Sequence, residues 1–228
     1  MENSFGPKAI GIILDGNRRW AKEHGLSNLE GHRKGLDKIQ EVFDWCREAQ
    51  ILEVTLYAFS TENWNRSNEE VTYLMSLFEK MLKRLEKNNK KNATKIRFIG
   101  ERNRFSKKLQ DGMSQLESET ENGSNGTLVI ALSYGGRSEI LHAVEKLLDE
   151  KASNVTEVDF KNAMWSKGLL DPDLIIRAGG EQRLSNFLTW SSVYSELFFT
   201  ETKWPDFSKE ELMKILAEYS ARERRHGK

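Results

Sequence analysis

The sequence predicts an α/β fold, a single domain over residues 1–228 built on a central, mostly parallel six-stranded sheet flanked by helices. Three observations predict it. Apolar, often β-branched runs of strand length alternate with longer segments whose apolar residues recur at helical spacing, the arrangement that gives parallel sheets covered on both faces. At 228 residues the chain fills one sizeable core, and no internal repeat or low-complexity linker divides it. Polar, mostly cationic sequence follows four of the strands, as ligand loops do at the carboxyl ends of parallel strands.

The first strand runs from Ala9 to Leu14 and breaks at Asp15; Gly16 and Asn17 suit a tight turn, and a helix spans about Trp20 to His24 before Gly25 ends it. A longer helix follows, roughly Gly31 to Gln50, with Leu36, Ile39, Val42, Phe43 and Cys46 on one face. Glu53 to Phe59 reads as the second strand, leading into polar Ser60 to Arg66. Asn68 is expected to cap a helix reaching about Asn88, with Leu74, Met75, Phe78, Leu82 and Leu85 inward, and Lys87 to Asn92 to form a solvated turn. Lys95 to Gly100 gives a third strand, Phe105 to Glu121 a helix, and Asn122 to Gly126 a loop. The fourth strand, Thr127 to Leu132, ends at Ser133-Tyr134-Gly135-Gly136-Arg137, and a helix follows from about Ser138 to Glu150. Thr156 caps a helix ending near Gly168; Asp173 to Arg177 and Ser195 to Phe199 are the last strands. Ser208 with Glu211 forms a capping box for the final helix.

Composition narrows the function. Lysine plus arginine equals aspartate plus glutamate at 35 each, so no overall field draws the protein to nucleic acid. The single cysteine, Cys46, excludes an internal disulfide and a cysteine metal cluster. The start MENSFGPK lacks an apolar signal core, and no stretch approaches the roughly 18 apolar residues of a membrane span. A cytoplasmic protein is expected, at most peripheral at the membrane. Neither GxGxxG nor GxxxxGK[ST] occurs, so a bound phosphate must be held mainly by side chains.

Those side chains cluster where a parallel sheet would gather them. Arg18, Arg19, Arg66, Arg177 and Arg183 follow strands and can share one edge with Asp15 and Glu196. Guanidinium forks suit bidentate phosphate binding, so several at one mouth point to a doubly phosphorylated group. A hard cation held there by one or two carboxylates and phosphate oxygens is magnesium. On local pattern alone, Asp15 serves equally well as a cap for the following helix.

The motifs IGIILDGNRRWA, GH, YAFSTENWNR, SYGGR, IRAGGEQRLSNFLTWSSVYSELFF and WPDF occur in that order. In this the chain resembles the cis-prenyltransferase family, undecaprenyl diphosphate synthase-like isoprenyl transferases, from about Ala9 to the C-terminus. The resemblance implies condensation of isopentenyl diphosphate with an allylic prenyl diphosphate, Mg2+ as cofactor, and a homodimer. It implies that Asp15 holds magnesium and helps the allylic diphosphate leave, with Gly16, Asn17, Arg18, Arg19 and Trp20 as the allylic loop and His32 near that diphosphate. Ser60, Thr61, Glu62, Asn63, Trp64 and Arg66 match the segment for substrate placement and proton removal. Arg177, Arg183, Leu184 and Ser185 match the homoallylic diphosphate pocket, and Glu196 the second magnesium carboxylate. Because a neutral amide hardly accepts a proton, Asn63 is expected to position rather than to store one.

Four departures bear on substrate preference. Asn28 stands where many members place a diphosphate-contacting arginine, Ala178 where a hydroxyl is frequent, Ser67 where proline is frequent, and Ser133 in place of an asparagine. The tail Arg225-His226-Gly227 resembles an element that reaches a partner's diphosphate site. Leu74, Met75, Phe78, Leu82, Leu85 and Ala58 match the region lining an apolar tunnel for the growing chain. Two alternatives share the fold: a head-to-middle irregular prenyl diphosphate synthase, and a non-catalytic partner subunit, which the complete DGN loop disfavours.

Overall fold

Branched apolar residues make β1, Ala9–Ile13, buried along its whole length, and a partner lies on each side of it. The computed structural model describes residues 6–222, without the side chains of 90–92; the Arg225-His226-Gly227 tail lies outside them. Beside β1 stand β2, Glu53–Ser60, and β5, Leu174–Arg177. With β3, Lys95–Ile99, β4, Thr127–Tyr134, and β6, Glu196–Phe199, they form one sheet in the order β3-β4-β2-β1-β5-β6. Every pairing is parallel, where the sequence predicted mostly parallel. The chain winds from β1 to one side through β2, then returns to the other side at β5, so the strand order reverses beside β1. Ligand crevices open at such a reversal, beyond the carboxyl ends of the strands.

Helices cover the sheet unequally. Alternate strand residues, Ile10, Ile12, Leu56, Phe98, Ile130 and Ile176, enter the larger core. There they meet α2, Asn28–Glu48, α3, Asn68–Asn92, α4, Lys107–Glu119, and α7, Lys209–Ala221. A smaller core joins Ile13, Tyr57, Val129 and Ile175 to Phe187 and Leu188 of the loop after β5. Two further helices, α5, Gly136–Asp149, and α6, Glu157–Ala163, pack on each other. Among the described residues no helix is long and apolar enough to cross a membrane.

Several boundaries differ from the sequence reading, and each has a local cause. The first helix, α1, Asn17–Glu23, starts three residues early because Gly16, at φ 97°, completes the turn alone. A reciprocal cap between Ser27 and Glu30 starts α2 at Asn28 rather than Gly31. Ser67, not Asn68, caps α3, which runs through the expected turn to Asn92 and stops where Ala93 turns left-handed at φ 46°. The last capping box forms by half: Ser208 accepts from the Glu211 N–H, but the Glu211 carboxylate accepts from the Thr200 hydroxyl instead.

Candidate active site

Asp15 leaves β1 at the centre of the sheet's carboxyl edge and is not a helix cap. Gly16 is the N-cap of α1, and no side chain bonds there. The Asp15 carboxylate instead accepts from the Gly16 N–H at 2.6 Å and from Arg177 Nη2 at 2.9 Å, with Arg19 Nη2 at 3.3 Å. Arg177, only 4% exposed, ends β5 directly across from Ile13. Its Nη1 donates to Ser185 Oγ at 2.7 Å and to the Arg183 carbonyl. One buried guanidinium thus ties Asp15 to the loop after β5, at the price of a buried Nε with no hydrogen-bond partner.

Two adjoining cavities share Asp15, Leu14, Asn17, His32 and Arg66. The larger, 830 Å³, adds Gly16, Arg18, Arg19, Lys22, Ser27 and Asn28, so Asn28 reaches the mouth without a charge to offer. The smaller, 580 Å³, adds Ser60, Glu62, Asn63, Arg177, Arg183 and Ser185, with Tyr57, Ala58 and Leu74 as apolar wall. Of the α3 residues expected to line a tunnel, Leu74 reaches this cavity, while Phe78, Leu82 and Leu85 are buried in the core.

The polar segment after β2 folds as a 3-10 helix, Thr61–Asn65, with Thr61 and Glu62 in its first turn. Asn63 Oδ1 accepts from the Ser60 N–H at 3.0 Å, leaving the amide NH2 as the group it offers outward. Trp64 lines neither cavity: its indole donates to Ser133 Oγ at 2.8 Å, Arg104 stacks over it, and it packs on Phe59 and Phe105. Trp20 likewise lines neither; it is buried in α1 and stacked on His24. Leu184 faces a neighbouring hollow with Arg137 and Asn186. Arg183 is mostly exposed and pairs with Glu181, which Arg19 also approaches at 3.7 Å.

Glu196 is not brought to this edge. It opens β6 opposite Leu174 and bonds Arg222 at 2.6 Å, whereas Arg177 lies opposite Phe199. Three residues of strand separate the two levels, roughly 10 Å. The strand's own direction places Glu196 at the amino end, so within one chain it does not join Asp15. Among the described residues no three acidic, histidine or cysteine side chains gather as a metal cage. One half-exposed carboxylate beside cation-lined cavities fits magnesium only if phosphate oxygens complete its shell.

Four residues that the sequence reading passed over brace the site. Glu70 Oε1 accepts from both His32 and Arg66. Tyr57 donates between the Tyr134 and Ser185 carbonyls at 3.1 and 3.3 Å. Asn186 caps α5, taking the Gly136 and Arg137 N–H groups, and donates to Glu62. Buried Glu139 accepts from Tyr134 and from the Ser166 N–H, and burial raises its pKa. Only Glu70 left a signal, its i,i+4 spacing from Arg66.

The family model described as putative undecaprenyl diphosphate synthase matches residues 13–227. The chain belongs to this prenyltransferase family. An isoprenyl transferase of Fusobacterium nucleatum is 46% identical over 97% of this chain and 96% of that protein, and one of Aquifex aeolicus 42% over the same shares. A lavandulyl diphosphate synthase from Lavandula x intermedia, solved with dimethylallyl diphosphate, superposes with TM-score 0.94 at 31% identity, covering 99% of this chain and all of that one. A probable undecaprenyl diphosphate synthase from Campylobacter jejuni gives 0.83 at 31% identity, over 97% of this chain and 99% of that one. The protein is accordingly a prenyl-transferring enzyme with cis-prenyltransferase activity. Within the prenyltransferase frame two departures are self-consistent: Ser67 supplies the α3 cap, and Ser133, left-handed at φ 50°, accepts the Trp64 indole. Ala178 is fully buried against β1.

Proposed function

We propose that the enzyme joins isopentenyl diphosphate to an allylic prenyl diphosphate such as farnesyl or geranyl diphosphate, giving a longer Z-polyprenyl diphosphate. The observation that carries this reading is Asp15 on the wall between two cation-lined cavities, one for each diphosphate. The larger would take the allylic diphosphate against Arg18, Arg19 and Arg66; the smaller would take isopentenyl diphosphate against Arg177, Arg183 and Ser185. Asp15, with phosphate oxygens, would hold magnesium, whose charge offsets that developing on the leaving diphosphate.

The allylic C–O bond breaks with its electron pair leaving on diphosphate, and the arginines of that cavity, Arg66 already held by Glu70 among them, stabilise the charge as it grows. The isopentenyl double bond then attacks the allylic carbon, and the adjacent carbon loses a proton. Asn63 holds the acceptor geometry, with the departing diphosphate taking the proton. An Asn63→Ala enzyme should therefore turn over far more slowly at saturating substrate; undiminished turnover rejects this role.

Cytoplasmic placement, with product passed to a membrane surface, belongs to the same proposal. So does a homodimer: β6 is an edge strand, and Val193, Leu197 and Phe199 around it are exposed. Mass analysis of products from purified protein, farnesyl diphosphate, isopentenyl diphosphate and Mg2+ tests the reading, which predicts masses rising by whole isoprene units. The likeness to a lavandulyl diphosphate synthase makes a single irregular coupling of C5 units the competing outcome.

A further inference from the structure

We propose that Asn186 is a positioning residue for isopentenyl diphosphate, tying the loop that carries Arg183 and Ser185 to the turn that carries Asn63 through its hydrogen bond to Glu62. This rests on the reading that the smaller cavity takes that substrate. Asn63 reaches the cavity from the end of β2 and Ser185 from the end of β5, and those strands stand on either side of β1. Glu62 precedes Asn63 and Asn186 follows Ser185. One bond, from Asn186 Nδ2 to Glu62 Oε1 at 3.0 Å, therefore spans the two sides.

The direction of this bond is forced. Asn186 is left-handed at φ 67°, a conformation that asparagine accepts more readily than most residues. Its backbone oxygen takes the Gly136 N–H at 2.7 Å and its side-chain Oδ1 the Arg137 N–H at 2.8 Å, both at the start of α5. With Oδ1 fixed on a donor, the amide turns its NH2 toward Glu62, and an ionised carboxylate is an acceptor only. Burial works to raise the Glu62 pKa, but hydrogen bonds from its own backbone and from the Asn186, Ser60 and Thr61 side chains outweigh it and keep the group ionised. Gly135 shows how closely the pieces meet. A Cβ there would stand 2.7 Å from Asn186 Nδ2 and 2.7 Å from Thr61 Oγ1, so a side chain would push loop and turn apart. Asn186 lines the cavity as well, but with Oδ1 and Nδ2 both engaged its contribution is placement. The link sets the distance between Ser185, where the diphosphate is held, and Asn63, where the reacting double bond must lie.

Reversing the bond isolates the effect. Asn186→Asp keeps the acceptor for the Arg137 N–H but sets a second carboxylate against Glu62; circular dichroism and urea unfolding should show the fold retained. Its kcat/KM for isopentenyl diphosphate should fall about tenfold or more, while calorimetric Kd for the unreactive farnesyl S-thiolodiphosphate stays within about twofold. Adding Glu62→Gln supplies an NH2 that donates to the new carboxylate, so the double variant should recover to within about threefold of the unsubstituted enzyme. Hydrogen exchange of the turn, residues 61–65, should quicken in Asn186→Asp and slow again in the double variant. Gly135→Ala, which parts the same two segments sterically, should lower the same kcat/KM and stands in should Asn186→Asp not fold. Unchanged kcat/KM in Asn186→Asp, an equal loss of affinity for the thiolodiphosphate, or no recovery in the double variant overturns the proposal. If the unsubstituted protein elongates nothing, the functional reading fails, whereas the exchange pattern still decides whether Asn186 holds the turn.

Discussion

At the residue scale, Asp15 and Arg177 are each held by more partners than a surface ion pair would have. The guanidinium fork reaches Asp15, Ser185 and the Arg183 carbonyl together, so the carboxylate is aimed before any ligand arrives. A different carboxylate, Glu53, is buried at the amino edge. Glu53 accepts from the Leu170 N–H at 3.0 Å, yet burial pushes its pKa up to about 7, offset only in part by that bond and by Arg97 and Lys161. Its folded pKa lies above the unfolded value near 4.3, so its stabilising effect is complete at low pH and is lost as pH rises from about 4 to 7. Glu53→Gln should stabilise the protein at pH 8 by on the order of 1–3 kcal/mol, and much less at pH 5. Urea unfolding at both values checks this; equal shifts at the two pH values would contradict it.

At the scale of elements, the cation loop depends on how closely α1 can lie on α2. A Cβ at Gly31 would stand 2.2 Å from the Asn17 carbonyl, and one at Gly35 would stand 2.1 Å from Asn17 Oδ1. Gly31→Ala should therefore push α1 outward, cost roughly 1–3 kcal/mol and weaken allylic diphosphate binding through Arg18 and Arg19. Chemical denaturation and the corresponding KM measure both effects; a neutral substitution would show that the close packing is dispensable. The same elements show what the sequence could and could not say. Branched runs such as Ile10 to Ile13 and Leu128 to Leu132 identified strands directly, and strand-end arginines identified the edge. Caps were harder, since Ser67 and Asn68 are adjacent candidates and only backbone angles choose between them. The braces Tyr57 and Asn186 were illegible because their partners Tyr134, Ser185 and Glu62 are 77 to 128 residues away, and spacing linked Glu70 only to Arg66, not to His32, 38 residues away. Glu196 entered the metal set by resemblance, whereas the direction of its strand puts it at the other edge.

For the whole molecule, a balanced charge leaves anion preference to the local edge, and the sheet's last strand leaves apolar side chains exposed. Val193 is 72% exposed beside β6, with Leu197 and Phe199 also open. Closed twofold pairing along this edge would cover them. Sedimentation should give a dimer, and Val193→Lys with Leu197→Glu should shift it toward monomer; an unshifted dimer would place the interface elsewhere. We propose above all that Asp15, between the two cation-lined cavities, drives prenyl transfer. Product mass analysis with farnesyl diphosphate, isopentenyl diphosphate and Mg2+, run beside a folded Asp15→Ala enzyme, tests it most directly. Elongated products from the unsubstituted enzyme and a rate at least about 100-fold lower from Asp15→Ala are predicted; near-normal elongation by Asp15→Ala would contradict a role for Asp15 in prenyl transfer.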